Sequence, residues 1–234
     1  MSSDKTEHEI VSELVTLFRR QGLYACSNIG PSKLHKWGCS DLLKIMEHPR
    51  QPEIDVIWYD PNNEKLHAGE VKYFRRSRRR KKKVTPLPPF AYELYLLMNP
   101  EPSGQSLYSR VDITLTPKSY YRGVDEALAL LNYGVDHAWL IHIFDTGIWD
   151  LGEGYASWSL KIIQYTPLGY LVIYVNEKLE IKELKKLREP LCLTNREFVL
   201  KNLREKFIRG MLSDPDCRPA KDLDNSSIKT LDNY

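Results

Sequence analysis

The chain has 234 residues, 42% of them hydrophobic, and a formal net charge of only +3 at pH 7. That apolar content supports a packed core and excludes a disordered polyelectrolyte. No apolar run approaches the roughly 20 residues that span a bilayer, so the expectation is a soluble protein with no membrane partner, one domain with appendages or a compact pair.

Apolar residues at 10, 11, 14, 15, 17 and 18 predict an amphipathic helix over Thr6–Phe18. Ser3, Asp4 or Thr6 can cap it, and Arg19, Arg20 and Gly22 form a stop. Glu9 and Glu13 lie one turn apart on one face. The charged N-terminus has no apolar leader segment. A cytoplasmic location is therefore expected, or a nuclear one if the source is eukaryotic.

Two apolar stretches follow, Pro52–Tyr59 and Leu66–Tyr73, separated by the turn-rich Asp60-Pro-Asn-Asn-Glu-Lys65. They read as antiparallel strands joined by a short loop. Residues i and i+2 share a face of a strand, so Glu70 and Lys72 point one way and Val71 and Tyr73 the other. With Asp55 on the same side, two carboxylates and an ammonium converge. Such a group can hold a hard divalent cation and activate water against a phosphodiester.

The next nine residues, Arg75-Arg-Ser-Arg-Arg-Arg-Lys-Lys-Lys83, contain eight basic side chains. Removing those eight charges from the formal net +3 leaves −5. The run comprises Arg75, Arg76, Arg78, Arg79, Arg80, Lys81, Lys82 and Lys83. It reads as a polyanion contact, with a targeting signal or a plain solvated loop as the alternatives. The stiff Val84-Thr-Pro-Leu-Pro-Pro89 separates it from a short helix expected over 90–98 and a strand over 107–115. Residues 75–108 thus read as an insertion, a flap over nucleic acid.

Lys118–Gly134 then reads as a helix with a glycine stop, and 135–144 as a buried apolar strand. Lys118 and Arg122 are candidate phosphate contacts, and Tyr121 a candidate stacking group. Residues 158–165 and 170–175 read as strands around the Thr166-Pro-Leu-Gly169 turn. Helices are expected over 178–188 and 196–211, and a flexible tail over 213–234. Cys26, Cys39, Cys192 and Cys217 form no Cys-x-x-Cys pattern. Zinc and iron–sulfur clusters are therefore not expected, and reduced thiols are. The six histidines share no metal-ligand spacing, and packing is the expected role of His67, His137 and His142.

Asp55 followed by Glu70-Val71-Lys72 resembles the PD-(D/E)xK nuclease superfamily, in particular archaeal Holliday junction resolvase-like and restriction-like enzymes. The leading helix with its glutamate, the glycine and strand after it, and a helix beyond the second strand all resemble that family. Two positions depart from its pattern: Pro52 is not adjacent to Asp55, and Glu126-Ala-Leu128 stands where Gln-Ala-Leu is common. Position 126 is accordingly read as a group that supports the site from behind its ligands or, in preference, as a plain surface residue. The resemblance implies an α/β fold with a restriction endonuclease-like core, a central mixed β-sheet flanked by helices. That core would occupy 1–175, with a C-terminal helical extension over 176–212.

It also implies a Mg²⁺- or Mn²⁺-dependent endonuclease acting on DNA. Asp55, Glu70 and the Val71 carbonyl would hold the metal, Glu9 or Glu13 would assist, and Lys72 would stabilise the transition state. A homodimer is implied only for the junction-resolving subclass. The alternative is a catalytically silent nucleic-acid-binding protein with a nuclease-like core.

Overall fold

A computed structural model describes residues 3–39, 53–74, 122–192 and 198–220. The basic run, Lys118, Tyr121, and the helix and strand expected over 90–98 and 107–115 lie outside the described residues. The elements are numbered here over the described residues alone. The strands are β1 (Tyr24–Ile29), β2 (Ile54–Asp60), β3 (Lys65–Phe74), β4 (His137–Asp145), β5 (Gly169–Val175) and β6 (Ile181–Arg188). They form one sheet in the order β1-β2-β3-β4-β5-β6. The pairs β1–β2, β2–β3 and β5–β6 are antiparallel, and β3–β4 and β4–β5 are parallel. The fold is therefore α/β, a six-stranded mixed sheet with helices on both faces.

Helix α1 (Ser3–Arg20) covers one face. Its Ile10, Val11, Leu14, Val15 and Phe18 pack on Val56, Trp58, Val71, Trp139 and Ile141. Gly22, at φ 84°, stops the helix: its amide donates to the Arg19 carbonyl and that of Leu23 to Phe18. This is the left-handed cap that glycine adopts without a Cβ penalty. The opposite face is covered by α2 (Pro31–Lys36), α3 (Val124–Ala129), α4 (Trp149–Ile163) and α5 (Phe198–Ser213). Here Ile57, Ala68, Leu140, Tyr170 and Val172 meet Ala127, Tyr155, Ile163, Leu203 and Phe207. Strand β5 is buried along its whole length, which its uninterrupted apolar sequence requires.

Four expectations are corrected. Residues 158–163 belong to helix α4, not to a strand. The buried Gly152, Tyr155, Ala156, Ser159 and Ile163 repeat at helical spacing. Residues 181–188 form edge strand β6, not a helix, because pairing with β5 overrides the helical preference of their lysines and glutamates. Residues 213–220 are packed rather than a free tail. Asp214 is buried, accepts a hydrogen bond from Trp37 Nε1 at 3.2 Å, and pairs with Lys36 at 3.5 Å. Cys217 is joined to Cys26 of β1 in a disulfide with Cα atoms 5.0 Å apart, in place of reduced thiols. Cys39 and Cys192 remain thiols. Residues 221–234 lie outside the described set.

His67 packs in the α1 layer, away from Glu70, as its odd offset requires. Its ring stacks on Trp58 at 4.9 Å and accepts a hydrogen bond from Trp139 Nε1 at 3.1 Å. Burial lowers its pKa to about 3, helped by the neighbouring His137 and Lys65. A histidine held neutral when folded takes up a proton on unfolding. Its contribution is complete above the unfolded value of 6.5 and is lost as pH falls toward about 3. His67→Phe keeps the stacked ring and removes the titration. Its unfolding free energy, from urea titrations between pH 7 and 4, should decline less steeply than that of wild type, by up to about 1.4 kcal/mol per pH unit. Equal slopes would show that His67 does not carry this acid sensitivity.

Candidate active site

The regular ladder between β2 and β3 runs from Asp60 opposite Lys65 to Val56 opposite Gly69. One residue further, the Asp55 carboxylate accepts the Val71 amide at 2.7 Å. A strand residue's N–H and C=O point to the same edge, so the Val71 carbonyl also lies on the Asp55 side. The Val71 side chain is buried against α1, on the opposite face from Glu70.

Lys72 Nζ lies 2.5 Å from Glu70 Oε1 and 2.5 Å from Glu126 Oε2 on α3. The Glu70 and Lys72 side chains are 9% and 13% exposed, whereas that of Glu126 is 54% exposed. Asp55, Glu70 and Lys72 are thus brought together, and the hairpin reading of the sequence holds.

Burial is the main influence on these carboxyls. It raises Asp55, against the Val71 amide and the Lys72 charge that stabilise the anion. It pushes Glu70 up to about 9, reinforced by the charge of Asp55. Burial opposes the charge on Lys72, yet Glu70 and Glu126 outweigh it and raise its pKa. Burial also acts against ionised Glu126, but hydrogen bonds from Lys72 and Glu70 hold its pKa below the ordinary value. The Glu70 and Glu126 carboxyl groups are also hydrogen-bonded to each other. Tyr133 is pushed up to about 12 by burial and by Glu70.

The helix glutamate at this site is Glu7, not Glu9 or Glu13. Its carboxylate is hydrogen-bonded by the Tyr73 backbone and feels the charges of Asp55, Lys72 and Arg122. Burial and Asp55 raise its pKa. Glu9 and Glu13 are exposed. At 100° per residue they lie about 200° and 240° round α1 from Glu7. The missed signal is phase: Glu7 precedes the apolar Ile10, Val11 and Leu14 by three, four and seven residues. Glu126 grips Lys72 instead of standing alone on the surface, which fits the supporting role and not the preferred reading as a plain surface residue. Among the described residues, no three or more His, Cys, Asp or Glu side chains form a group that could hold a metal ion. The expected ligand set with Glu9 is therefore not assembled.

The start of α3 is pressed onto the site. Gly123 has φ 83°, and a Cβ placed there would come 2.9 Å from Lys72 Cγ and 2.9 Å from Leu140 Cδ1. Fully buried His142, beside Lys72 in the β3–β4 register, contacts the Arg122 carbonyl through Nε2 at 3.2 Å. Its Nδ1 lies 2.8 Å from the Tyr170 hydroxyl. Burial lowers its pKa to about 3, so at neutral pH Nε2–H donates to Arg122 and Nδ1 accepts from Tyr170. Arg122 is exposed, with its guanidinium 5.8 Å from the Phe74 ring centroid.

Gly123→Ala should destabilise the fold by about 1–2 kcal/mol from the left-handed backbone alone. The contact with Lys72 adds to that loss. Urea denaturation measures it, and a change below about 0.5 kcal/mol would show that the turn yields. No protein-family model, no curated protein and no solved structure matches this chain.

Proposed function

We propose that the chain is a metal-dependent deoxyribonuclease of the PD-(D/E)xK kind, with a restriction endonuclease-like core. The observation that carries this reading is the convergence of Asp55, Glu70 and Lys72 where β2 leaves the edge of β3. Chance occurrence of D…ExK in sequence does not require the three side chains to meet, partly buried, where the β2–β3 ladder ends.

The donor chemistry suits magnesium or manganese. Such ions use one or two carboxylates, carbonyl oxygens and water, not an all-protein cage. Asp55, Glu70 and the Val71 carbonyl would hold the ion, and Glu7 stands on the α1 side without joining that set. The charge of half-buried Asp55 helps to raise the pKa of buried Glu70, and a dication would relieve that repulsion. The bound ion would supply Lewis acidity toward a phosphodiester and toward water.

Lys72 provides fixed positive charge in a site with little water, where it stabilises the developing oxyanion. Exposed Arg122 can take a phosphate of the substrate in bidentate fashion. The run from Arg75 to Lys83 directly follows β3 in sequence and supplies attraction to DNA without sequence preference. One observation favours the silent DNA-binding alternative: the Lys72 ammonium is already matched by two carboxylates.

The test is cleavage of labelled duplex, single-stranded, flapped and four-way-junction DNA with Mg²⁺ or Mn²⁺. Lys72→Met preserves the stem against Gly123 and should lower the cleavage rate about a hundredfold or more. Cutting by that variant at the wild-type rate refutes the assignment. Retention of DNA in a gel without cutting of any substrate selects the silent alternative. Replacing the eight basic residues at 75–83 with Ser should reduce the slope of log affinity against log salt. An unchanged slope removes the run from the interface.

A further inference from the structure

The disulfide between Cys26 and Cys217 lies where strand β1 meets the short turn Pro215–Cys217, at the opposite end of α1 from Glu7. Its sulfurs are covered, with Cys26 1% exposed and Cys217 0%. The cover is thin, because Pro215, Asp216 and Arg218 around Cys217 are all exposed. Polar contacts also hold the turn down. Asp214 pairs with Lys33 at 3.7 Å and with Lys36 at 3.5 Å. Arg19, at the end of α1, donates to the Asp216 carbonyl, and its own carbonyl accepts the Ala220 amide at 3.1 Å.

Lys33 has a second contact: its ammonium lies 3.3 Å from Cys26 Sγ. A disulfide sulfur is a weak acceptor and gains little from a cation. A thiolate in the same place carries a full charge that the ammonium stabilises. Lys33 is thus placed for the reduced state of Cys26, and in that state the thiolate competes with Asp214 for it.

We propose that Cys26 and Cys217 form a site of thiol–disulfide exchange with a vicinal dithiol, and that reduction there releases residues 215–220 from β1 and α1. The proposal does not rest on the nuclease reading. One reductant thiolate attacks Cys217 Sγ as the turn lifts. The Sγ–Sγ bond breaks, and its electron pair leaves on Cys26 Sγ as a thiolate beside Lys33. The second thiol of the reductant loses its proton, and its sulfur displaces Cys217 from the mixed disulfide. The Cys217 thiolate takes up a proton, and the reductant ends as its own disulfide, having given two electrons. Strand β1 is separated from β3 by β2, so the β3–β5 ladders stay in place when the bond is cut.

The full chain is treated with excess dithiothreitol near neutral pH and followed by hydrogen exchange. The Cys217 and Ala220 amides donate to the Asp214 and Arg19 carbonyls, and should exchange at least about tenfold faster after reduction. The β5 amides should stay protected. Resistance of the disulfide to dithiothreitol in the folded chain overturns the proposal. So does unchanged exchange at 217 and 220. Loss of β5 protection together with theirs overturns it too, since the bond would then be a staple of the whole fold.

Lys33 is tested by iodoacetamide alkylation of the reduced protein, with Cys217 of the same molecule as reference. Lys33→Met should lower the ratio of Cys26 to Cys217 labelling about fivefold, through loss of the cation beside the thiolate. Lys36→Met removes the other cation at Asp214 and should leave that ratio within about twofold. An unchanged ratio in Lys33→Met, or equal falls in both variants, overturns the assignment of Lys33 to the exchange site.

Discussion

A strand edge inside a protein must find partners for its amides and carbonyls. Strand β3 has ten residues and β2 has seven, so β3 runs past its antiparallel neighbour. Among the described residues, no strand meets β3 beyond that point on this side. The Val71 amide is taken by the Asp55 carboxylate, and the Tyr73 backbone by Glu7. Backbone satisfaction by carboxylates in place of a ladder concentrates negative charge at one spot. Half-buried Lys72 is the counterweight. The Asp55 and Glu7 contacts to the β3 backbone follow from this mismatch of strand lengths.

The same opening is reached from both layers of the fold. Glu7 arrives from α1 on one face of the sheet and Glu126 from α3 on the other. Within the sheet itself such an approach is blocked, because β3, β4 and β5 are hydrogen-bonded on both sides. The parallel strands provide a stiff apolar platform, and the candidate site lies at the border of β3 with β2. Buried His142 bonds this border to the platform by contacting both Tyr170 of β5 and the turn before α3.

The hairpin and its three charged residues were legible because a strand period of two fixes which side chains share a face, whatever lies around it. Glu7 was not legible in the same way. Glu9 and Glu13 share a face with each other, but the face α1 turns to the sheet is decided by Ile10, Val11 and Leu14. Glu126 was hidden because its partner is 54 residues earlier, and nothing local records that contact. Alternation of Trp158, Leu160 and Ile162 imitated a strand, while the helical repeat begins earlier, at Gly152. In β6 the lysines and glutamates carry helical preference, but β5 needs a partner on its outer edge, and that long-range demand prevails. The pairing of Cys26 with Cys217 spans a sequence separation of 191 and leaves no spacing signal.

That disulfide gives the molecule a topology distinct from its fold. The closed loop contains the end of β1, all of β2 through β6, and helices α2 through α5; α1 alone among the numbered elements is outside it. The chain between residues 26 and 217 is in effect a ring, with α1 attached on its N-terminal side. A backbone cut anywhere between residues 26 and 217 opens the ring into two segments that remain one covalent molecule. Under oxidising conditions, then, integrity of mass and integrity of chain are separate properties of this protein.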